Sequence, residues 1–299
     1  MSRVAVVIPF QDLDEGLIGA VNSVIRQEYK VFFIILVQNN FKSQMSESLV
    51  LTQFMSSENI KLLIMNNCLN ANEARNFGAV HAIENGFEYI AFLDSDDYWS
   101  EDHLSKCIQF FDQNNCDVLF SSFSVNDGCE KKVFINNCSG DILSDLFVTK
   151  SIDCRSSCLF LLASAYLKVP LDINLKKHQD WGYAVDASKN LRIHISSNAT
   201  VMINISLRER MSTNVNPQIS FEFANSRLVE PYYSNFLFSR IIEGFSKGSS
   251  DAYYLMYPSI RGANLTFKRK MYFILMPIVK PFNLVIAKIY RKFLSGANK

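Results

Sequence analysis

Residues 3–37 read RVAVVIPFQDLDEGLIGAVNSVIRQEYKVFFIILV. An apolar, β-branched run over 3–10 gives way to Leu17, Ile18, Val21, Val24 and Ile25, which have the i, i+3, i+4, i+7, i+8 spacing of a helix. A second apolar run follows over 31–37, so the stretch predicts strand, helix, strand. The alternation continues with a helix over about 44–56, a strand over 60–64, a helix over about 72–85, a strand over 88–93, a helix over about 101–113 and a strand over 117–121. Strands alternating with amphipathic helices imply an α/β fold, with a mostly parallel central sheet and helices on both faces. Ligands of such sheets bind beyond the carboxyl ends of the strands. Here those ends fall at 9–15, 38–42, 65–72 and 94–99.

After about residue 122 the alternation loosens. Residues 131–136, 156–163 and 191–205 have strand character, 140–148 and 180–189 have helix character, and from 218 the pattern is helical and aromatic. The expected organisation is one domain over 1–215, with a nucleotide-binding half over 1–121 and an acceptor-binding half over 122–215, followed by a helical region over 216–299. Segment 267–294 is apolar, interrupted by Pro277 and Pro281, and carries Lys or Arg at both ends and at Lys280 and Lys288.

Composition narrows the field. A chain of 299 residues that is 48% hydrophobic and 20% charged folds around a substantial core. Its net charge of +1 conceals an asymmetry: residues 261–299 hold nine basic side chains and no acidic one, against 21 basic and 29 acidic before them. The seven cysteines, at 68, 107, 116, 129, 138, 154 and 158, have no paired CxxC spacing, which argues for reduced thiols in a cytosolic protein over a zinc cage or a disulfide framework. The amino terminus is too short in its apolar run for a secretory signal, and no stretch of 18 uninterrupted apolar residues occurs. GxGxxG after the first strand, GxxxxGK[ST], HExxH and GxSxG are all missing, so dinucleotide oxidoreductase, P-loop, zincin and triad-hydrolase chemistries lack their fingerprints. Nothing in the chain points to nucleic acid.

Four short segments carry candidate chemistry. Phe92-Leu93-Asp94-Ser95-Asp96-Asp97-Tyr98-Trp99 puts three carboxylates at a strand end, where they repel one another unless a cation or hydrogen-bond donors compensate them; aspartates at such a turn also cap helices. Asn70-Ala71-Asn72-Glu73-Ala74-Arg75 opens a helix that Asn72 could cap, an end suited to a phosphate or a polar ring, with Arg75 one turn in or else paired with an acidic neighbour. His178-Gln179-Asp180-Trp181 gives Asp180 a partly apolar setting that raises a carboxyl pKa toward that of a base, although helix capping is the commoner duty of such an Asp. Arg208 and Arg210 share one face of an extended segment, as a diphosphate requires or as a solvated charge cluster allows.

In order and spacing these segments resemble the inverting family 2 glycosyltransferases of the GT-A fold, of the bacterial surface-polysaccharide type. The resemblance begins with VAVVIPFQDLDEGLIGAVNSVIRQEYKVFFIILV, continues through NANEARNFGAVHAIENGFEYIAFLDSDDYW and closes with HQDW. It implies a Rossmann-like domain with a helical, amphipathic carboxyl-terminal tail. It also implies contacts to a nucleotide-diphosphate sugar, with a UDP-sugar expected, at Pro9, Asp12, Gln38, Asn40, Asn72, Arg75, Asp94, Ser95, Arg208 and Arg210. Mn²⁺ or Mg²⁺ would be held by Asp96 and Asp94, Asp180 would be the catalytic base, and Trp99 and Trp181 would offer faces to sugar rings, although burial in the core is the commoner duty and is expected of at least one of the two. Two departures accompany it. Gln38-Asn39-Asn40 stands where the family usually has an Asp-Asp pair, and Gln179 stands where a Glu often precedes the base.

The expected function is metal-dependent transfer of a sugar to a hydroxyl of a glycan or lipid-linked acceptor, in O-antigen, capsule or lipopolysaccharide synthesis. The enzyme is expected in the cytoplasm, peripheral at the inner face of a bacterial plasma membrane, where its basic tail meets anionic lipid; the alternative is a tail of helices packed on the catalytic domain or in a dimer contact. A non-catalytic nucleotide-sugar-binding or scaffolding protein of the same fold is the alternative that the two departures motivate. A nucleotidyltransferase shares the carboxylate chemistry but usually begins with a glycine-rich loop that this chain lacks.

Overall fold

A computed structural model describes residues 3–39, 54, 59–126, 128, 130–205 and 216–263. The expected helix over 44–56, the paired Arg208 and Arg210, Asn40 and the tail from 264 lie outside these residues, Phe54 excepted. The chain divides into two compact units, Met1–Cys138 with Ile152–Arg208, and Ser139–Ser151 with Glu209–Lys299. Ser139–Ser151 thus groups with the carboxyl-terminal unit, although the sequence reading kept it within the 122–215 half.

In the first unit, β1 (Val4–Phe10) is buried at every position, as a strand covered on both faces must be. It pairs in parallel with β2 (Phe32–Asn39) and with β4 (Tyr89–Phe92), and β2 pairs in parallel with β3 (Ile60–Met65). Between β1 and β2, α1 (Glu15–Ile25) starts at Asp14, whose carboxylate accepts the Leu17 amide at 2.9 Å, and buries Leu17, Ala20, Val21 and Val24. The helix α2 (Ala71–Glu84) lies on β1 and β2 through small residues. A Cβ on Gly78 would stand 2.5 Å from Val7 Cγ1 and 2.9 Å from Val37 Cγ2, so only glycine allows this approach.

Beyond β4 the sheet changes character. After the two-residue β5 (Tyr98–Trp99) come α3 (His103–Gln113), β6 (Val118–Asn126) and β7 (Lys131–Phe134). A 3₁₀ turn, Ser156–Cys158, leads into β8 (Leu159–Leu162), which runs antiparallel between β4 and β6. Helices α5 (Ala163–Lys168) and α6 (Gln179–Ala187) precede β9 (Ile193–Asn204), which lies parallel to β6 with a register shift around Ser122. The order β3-β2-β1-β4-β8-β6-β9-β5 is therefore parallel over its first four strands and mixed beyond them. An aromatic cluster of Tyr89, Phe111 and Phe160, with centroids 5.2–5.4 Å apart, ties β4, α3 and β8 together. Each such pair adds about 0.5–1.5 kcal/mol beyond the area it buries.

In the second unit, α4 (Ile142–Ser144) runs into a π turn, Asp145–Thr149. The buried Asp145 carboxylate accepts the Ser139 amide at 2.5 Å and the Ser151 hydroxyl at 3.1 Å, which closes this segment on itself. Helices α7 (Pro217–Arg227), α8 (Tyr232–Ser246) and α9 (Asp251–Ile260) pack around Phe223, Phe236, Phe238 and Ile241. Among the described residues no helix is long and apolar enough to cross a membrane.

Candidate active site

The acidic segment leaves β4 at Leu93 and returns to the sheet at β5, where Tyr98 and Trp99 pair with Met202 and Val201 of β9. Its position is set from below by α1. A Cβ on Gly16 would meet the Ser95 carbonyl at 2.9 Å, and one on Gly19 would meet the Tyr98 ring at 2.3 Å. The turn is further fixed by Asp97 N–H donating to Asp94 O at 3.0 Å. Anchored at both ends, the turn directs its aspartates differently. Asp94 and Asp96 are half-buried, whereas Asp97 is turned inward and buried.

Asp97 accepts the Ser157 hydroxyl at 2.6 Å and the Asn204 amide at 3.0 Å. Burial, reinforced by the negative charges of Asp94 and Asp96, raises its pKa to about 8 despite these donors. Asp97 is accordingly a structural member of the acidic cluster, held inward by its two donors. Its two neighbours, Asp94 and Asp96, are only half-buried.

Arg75, one turn into α2, is buried, and its Nη2 donates to Asp94 Oδ1 while its Nη1 donates to Asn72 Oδ1 at 3.0 Å. Its Nε has no hydrogen-bond partner among the described residues. Burial opposes the guanidinium charge, but Asp94 and Asp180 outweigh it and raise the Arg75 pKa. The alternative that Arg75 pairs with an acidic neighbour therefore holds, and the neighbour is the first aspartate of the candidate site.

Asn72 is corrected from its expected role. Asn70, not Asn72, caps α2, its side chain accepting the amides of Asn72 at 2.9 Å and Glu73 at 3.2 Å. Asn72 is fully buried, with Nδ2 on the Asp172 carbonyl at 3.0 Å, so its side chain is spent on the protein and the two amides at this helix end are already taken by Asn70. Asn70, Asn72 and Asn76 donate in turn to the carbonyls of Ile173, Asp172 and Leu171, at 2.5, 3.0 and 2.9 Å. Three side chains of one helix thereby hold the segment that leads to Asp180.

Asp180 stands in the first turn of α6 and accepts the Ser156 hydroxyl on Oδ1. Burial raises its pKa, Asp94 adds to the rise, and Arg75, Ser156 and Arg155 oppose it. His178 precedes the helix in the left-handed conformation at φ 60° and stacks on Trp181 with centroids 5.1 Å apart and planes 8° from parallel. Trp181 Nε1 donates to Asp153 at 2.8 Å, and Arg155 pairs with the same carboxylate at 2.7 Å. One face of Trp181 is thus taken by His178. Trp99 is the tryptophan that serves the core: it is buried against His103 at 4.3 Å, with Nε1 on the Ser157 carbonyl at 2.8 Å, and has no face for a sugar.

Of the other expected contacts, Pro9 is buried within β1, in register with Val37, and Asp12 and Ser95 are half-buried after β1 and β4. Gln38 is buried, with Nε2 donating to the Gln11 carbonyl at 3.2 Å, so this amide ties the ends of β1 and β2 together. The adjacent Asn39 Oδ1 is buried without a hydrogen bond among the described residues. No group of three His, Cys, Asp or Glu side chains converges among the described residues. The donor set open to a metal is the pair Asp94 and Asp96. Two carboxylates fit a hard cation that completes its shell with water and substrate phosphate oxygens, and would not form an all-protein cage. Sequence reasoning missed Ser156 and Ser157. Both fall in the stretch read as a strand over 156–163, whereas the strand begins at Leu159, and their partners are 24 and 60 residues distant.

The profile of the family described as "Glycosyl transferase family 2" matches residues 5–161, more than half of the chain. An uncharacterized glycosyltransferase of Rickettsia conorii is 30% identical over 143 residues, covering 48% of this chain and 22% of the relative. The amylovoran biosynthesis glycosyltransferase AmsB of Erwinia amylovora is 27% identical over 206 residues, covering 62% and 64%. The chain thus spans less than two thirds of the length of either. Among solved structures, S. aureus TarS 1–349 in complex with UDP-GlcNAc superposes with a TM-score of 0.65 at 17% identity, covering 95% of this chain and 79% of that one. The mannosyltransferase PcManGT of Pyrobaculum calidifontis in complex with GDP-Man and Mn²⁺ gives 0.56 at 12% identity, covering 96% and 86%. These likenesses show the fold, a mixed α/β GT-A domain followed by helices.

Proposed function

The chain belongs to glycosyl transferase family 2, and we propose that it transfers a sugar from a nucleotide-diphosphate sugar to a hydroxyl group of a glycan or lipid-linked acceptor. The observation that carries this reading is the electrostatic grouping of Asp180, Arg75 and Asp94 from three separate elements. In the proposed reaction the acceptor oxygen attacks the anomeric carbon, the bond from that carbon to the phosphate oxygen breaks, and the nucleoside diphosphate leaves. Asp180 takes the proton of the acceptor hydroxyl, a role that its burial and raised pKa favour. A single displacement of this kind inverts the anomeric centre. Asp96 and Asp94 would hold Mn²⁺ or Mg²⁺, which when bound supplies Lewis-acid stabilisation of the departing diphosphate charge. Arg75 keeps Asp94 oriented.

The donor seen with TarS, UDP-GlcNAc, and the surface-polysaccharide pathway named for AmsB give the order of trial: UDP-sugars first, then GDP- and CMP-sugars. Release of free nucleotide with Mn²⁺, and its loss in Asp180→Asn with donor binding retained, would support the transferase. Full biological function in Asp180→Asn would instead favour a non-catalytic binder. The cationic stretch from Arg261 onward is proposed to rest on the anionic inner face of a bacterial membrane. Co-sedimentation with phosphatidylglycerol vesicles but not phosphatidylcholine vesicles, lost at high salt, tests that placement.

A further inference from the structure

We propose that Ser156 is the positioning residue of the reaction, donating its hydroxyl to Asp180 Oδ1 and so presenting the other carboxylate oxygen, Oδ2, to the acceptor hydroxyl. The proposal rests on the reading of Asp180 as the base.

The geometry is one of a rigid bridge. Ser156 and Ser157 form the 3₁₀ turn Ser156–Cys158, closed by Cys158 N–H on the Arg155 carbonyl at 3.0 Å, and both serines are buried. Ser157 is fixed three times over. Its hydroxyl donates to Asp97 at 2.6 Å and accepts the Asp94 amide at 3.1 Å, and its carbonyl accepts the Trp99 indole at 2.8 Å. A serine so held leaves its neighbour little freedom, and that neighbour's hydroxyl points at Asp180. One dipeptide therefore joins the acidic turn after β4 to the start of α6, and locks the distance between the candidate donor side and the candidate base. No hydrogen bond to Asp180 Oδ2 is formed among the described residues. The two oxygens are thus unequal, one occupied by a donor and the other left as the stronger acceptor.

The charged and titratable groups facing Asp180 are Arg75 from α2, Asp94 after β4, and Arg155 and the buried Cys154 thiol beside the 3₁₀ turn. The Ser156 hydrogen bond favours the ionised carboxylate against burial and Asp94. Removing it should therefore make Asp180 titrate at higher pH.

The test compares Ser156→Ala, Ser156→Thr and Asp180→Asn in the full chain, measuring kcat and donor KM across pH together with the thermal midpoint. Asp180→Asn is expected to lose at least about 100-fold in kcat, the lower range of general-base contributions. Ser156→Ala is expected to lose less, on the order of 10-fold, with donor KM within about twofold and the acid limb of the kcat profile moved to higher pH. Ser156→Thr should restore both the rate and the limb. Ser156→Cys, which keeps the size but donates weakly, replaces Ser156→Ala if that variant does not fold, and should move the limb the same way. A Ser156→Ala rate within about twofold of the parent, or a lower rate with the acid limb unmoved, overturns the positioning role while an inactive Asp180→Asn leaves the base intact. An active Asp180→Asn overturns both.

Discussion

Arg75 Nη2 bonds Asp94 from within the protein, so the first aspartate of the acidic turn is oriented by a buried guanidinium whose Nη1 is tied to Asn72. The pair joins α2 to the end of β4, and the Arg75 side chain is only 6% exposed against 35% for Asp94. Removing one member of such a pair leaves the other without its compensation.

Arg75→Ala is accordingly expected to cost about 3 kcal/mol of stability, the lower end for breaking a buried pair, and to reduce activity more than that loss explains. Arg75→Lys, which keeps the charge but has no fork to reach Asp94 and Asn72 together, should recover only part of either. Urea denaturation alongside donor hydrolysis checks both; a silent Arg75→Ala would show the pair to be dispensable.

Chelation should separate the two half-buried aspartates from the inward one. With Mn²⁺ supplied, EDTA is expected to abolish nucleotide release, and Asp96→Ala is expected to reproduce that loss with its thermal midpoint little changed, because Asp96 is half-buried on an open turn. Asp97→Ala should instead unfold the turn and lower the midpoint, because it strands the Ser157 hydroxyl and the Asn204 amide. Equal midpoints for the two variants would contradict this division.

His103 makes stability depend on pH. Burial beside Trp99 and Thr200 lowers its pKa from 6.5 to about 3. The unfolded chain gains a proton below about pH 6.5, whereas the folded chain does not until about pH 3, so His103 contributes stability above 6.5 that is lost as pH falls through this window. Thermal midpoints of the parent are expected to decline from pH 7 to pH 4. In His103→Gln the decline should be shallower, and an unaltered slope would refute the assignment.

Gly78→Ala places a methyl group against Val7 and Val37 in a sheet core that has no free volume to give. The expected cost is about 1–3 kcal/mol, read as a lower denaturant midpoint with an unchanged m-value. A neutral outcome would mean that α2 can lift from β1 and β2 without loss.

Much of this was legible in order along the chain. The apolar strand runs and period-3.6 helix runs from Val4 to Phe92 foretold β1, α1, β2, β3, α2 and β4 with ends displaced by up to three residues, because a strand covered on both faces is apolar throughout, a helix buries one face, and both patterns are local. The candidate carboxylates were legible too, since three aspartates after an apolar strand and a His-Gln-Asp-Trp run are chemical statements in themselves. The errors fell where a side chain's partner is remote. Asn72 was read as a helix cap facing ligand, but Asn70 performs the capping two residues earlier, and Asn72 is buried beneath a carbonyl 100 residues downstream. Which of Trp99 and Trp181 would be buried could not be read locally, because nothing in the chain order says that β9 and α3 will enclose Trp99.

The sequence by itself determined the alternation of elements, the parallel first half of the sheet, the reduced state expected of the thiols and the residue types that carry the chemistry. Tertiary structure alone decided that β8 inserts antiparallel between β4 and β6, and thereby that Ser156 and Ser157 reach Asp180, Asp94 and Asp97 at once. The physical reason is range. Burial patterns repeat within a single helix or strand and can be read from side-chain spacing, whereas a hydrogen bond between groups 24 to 103 residues apart exists only after the chain has closed around a core and brought particular strand ends side by side.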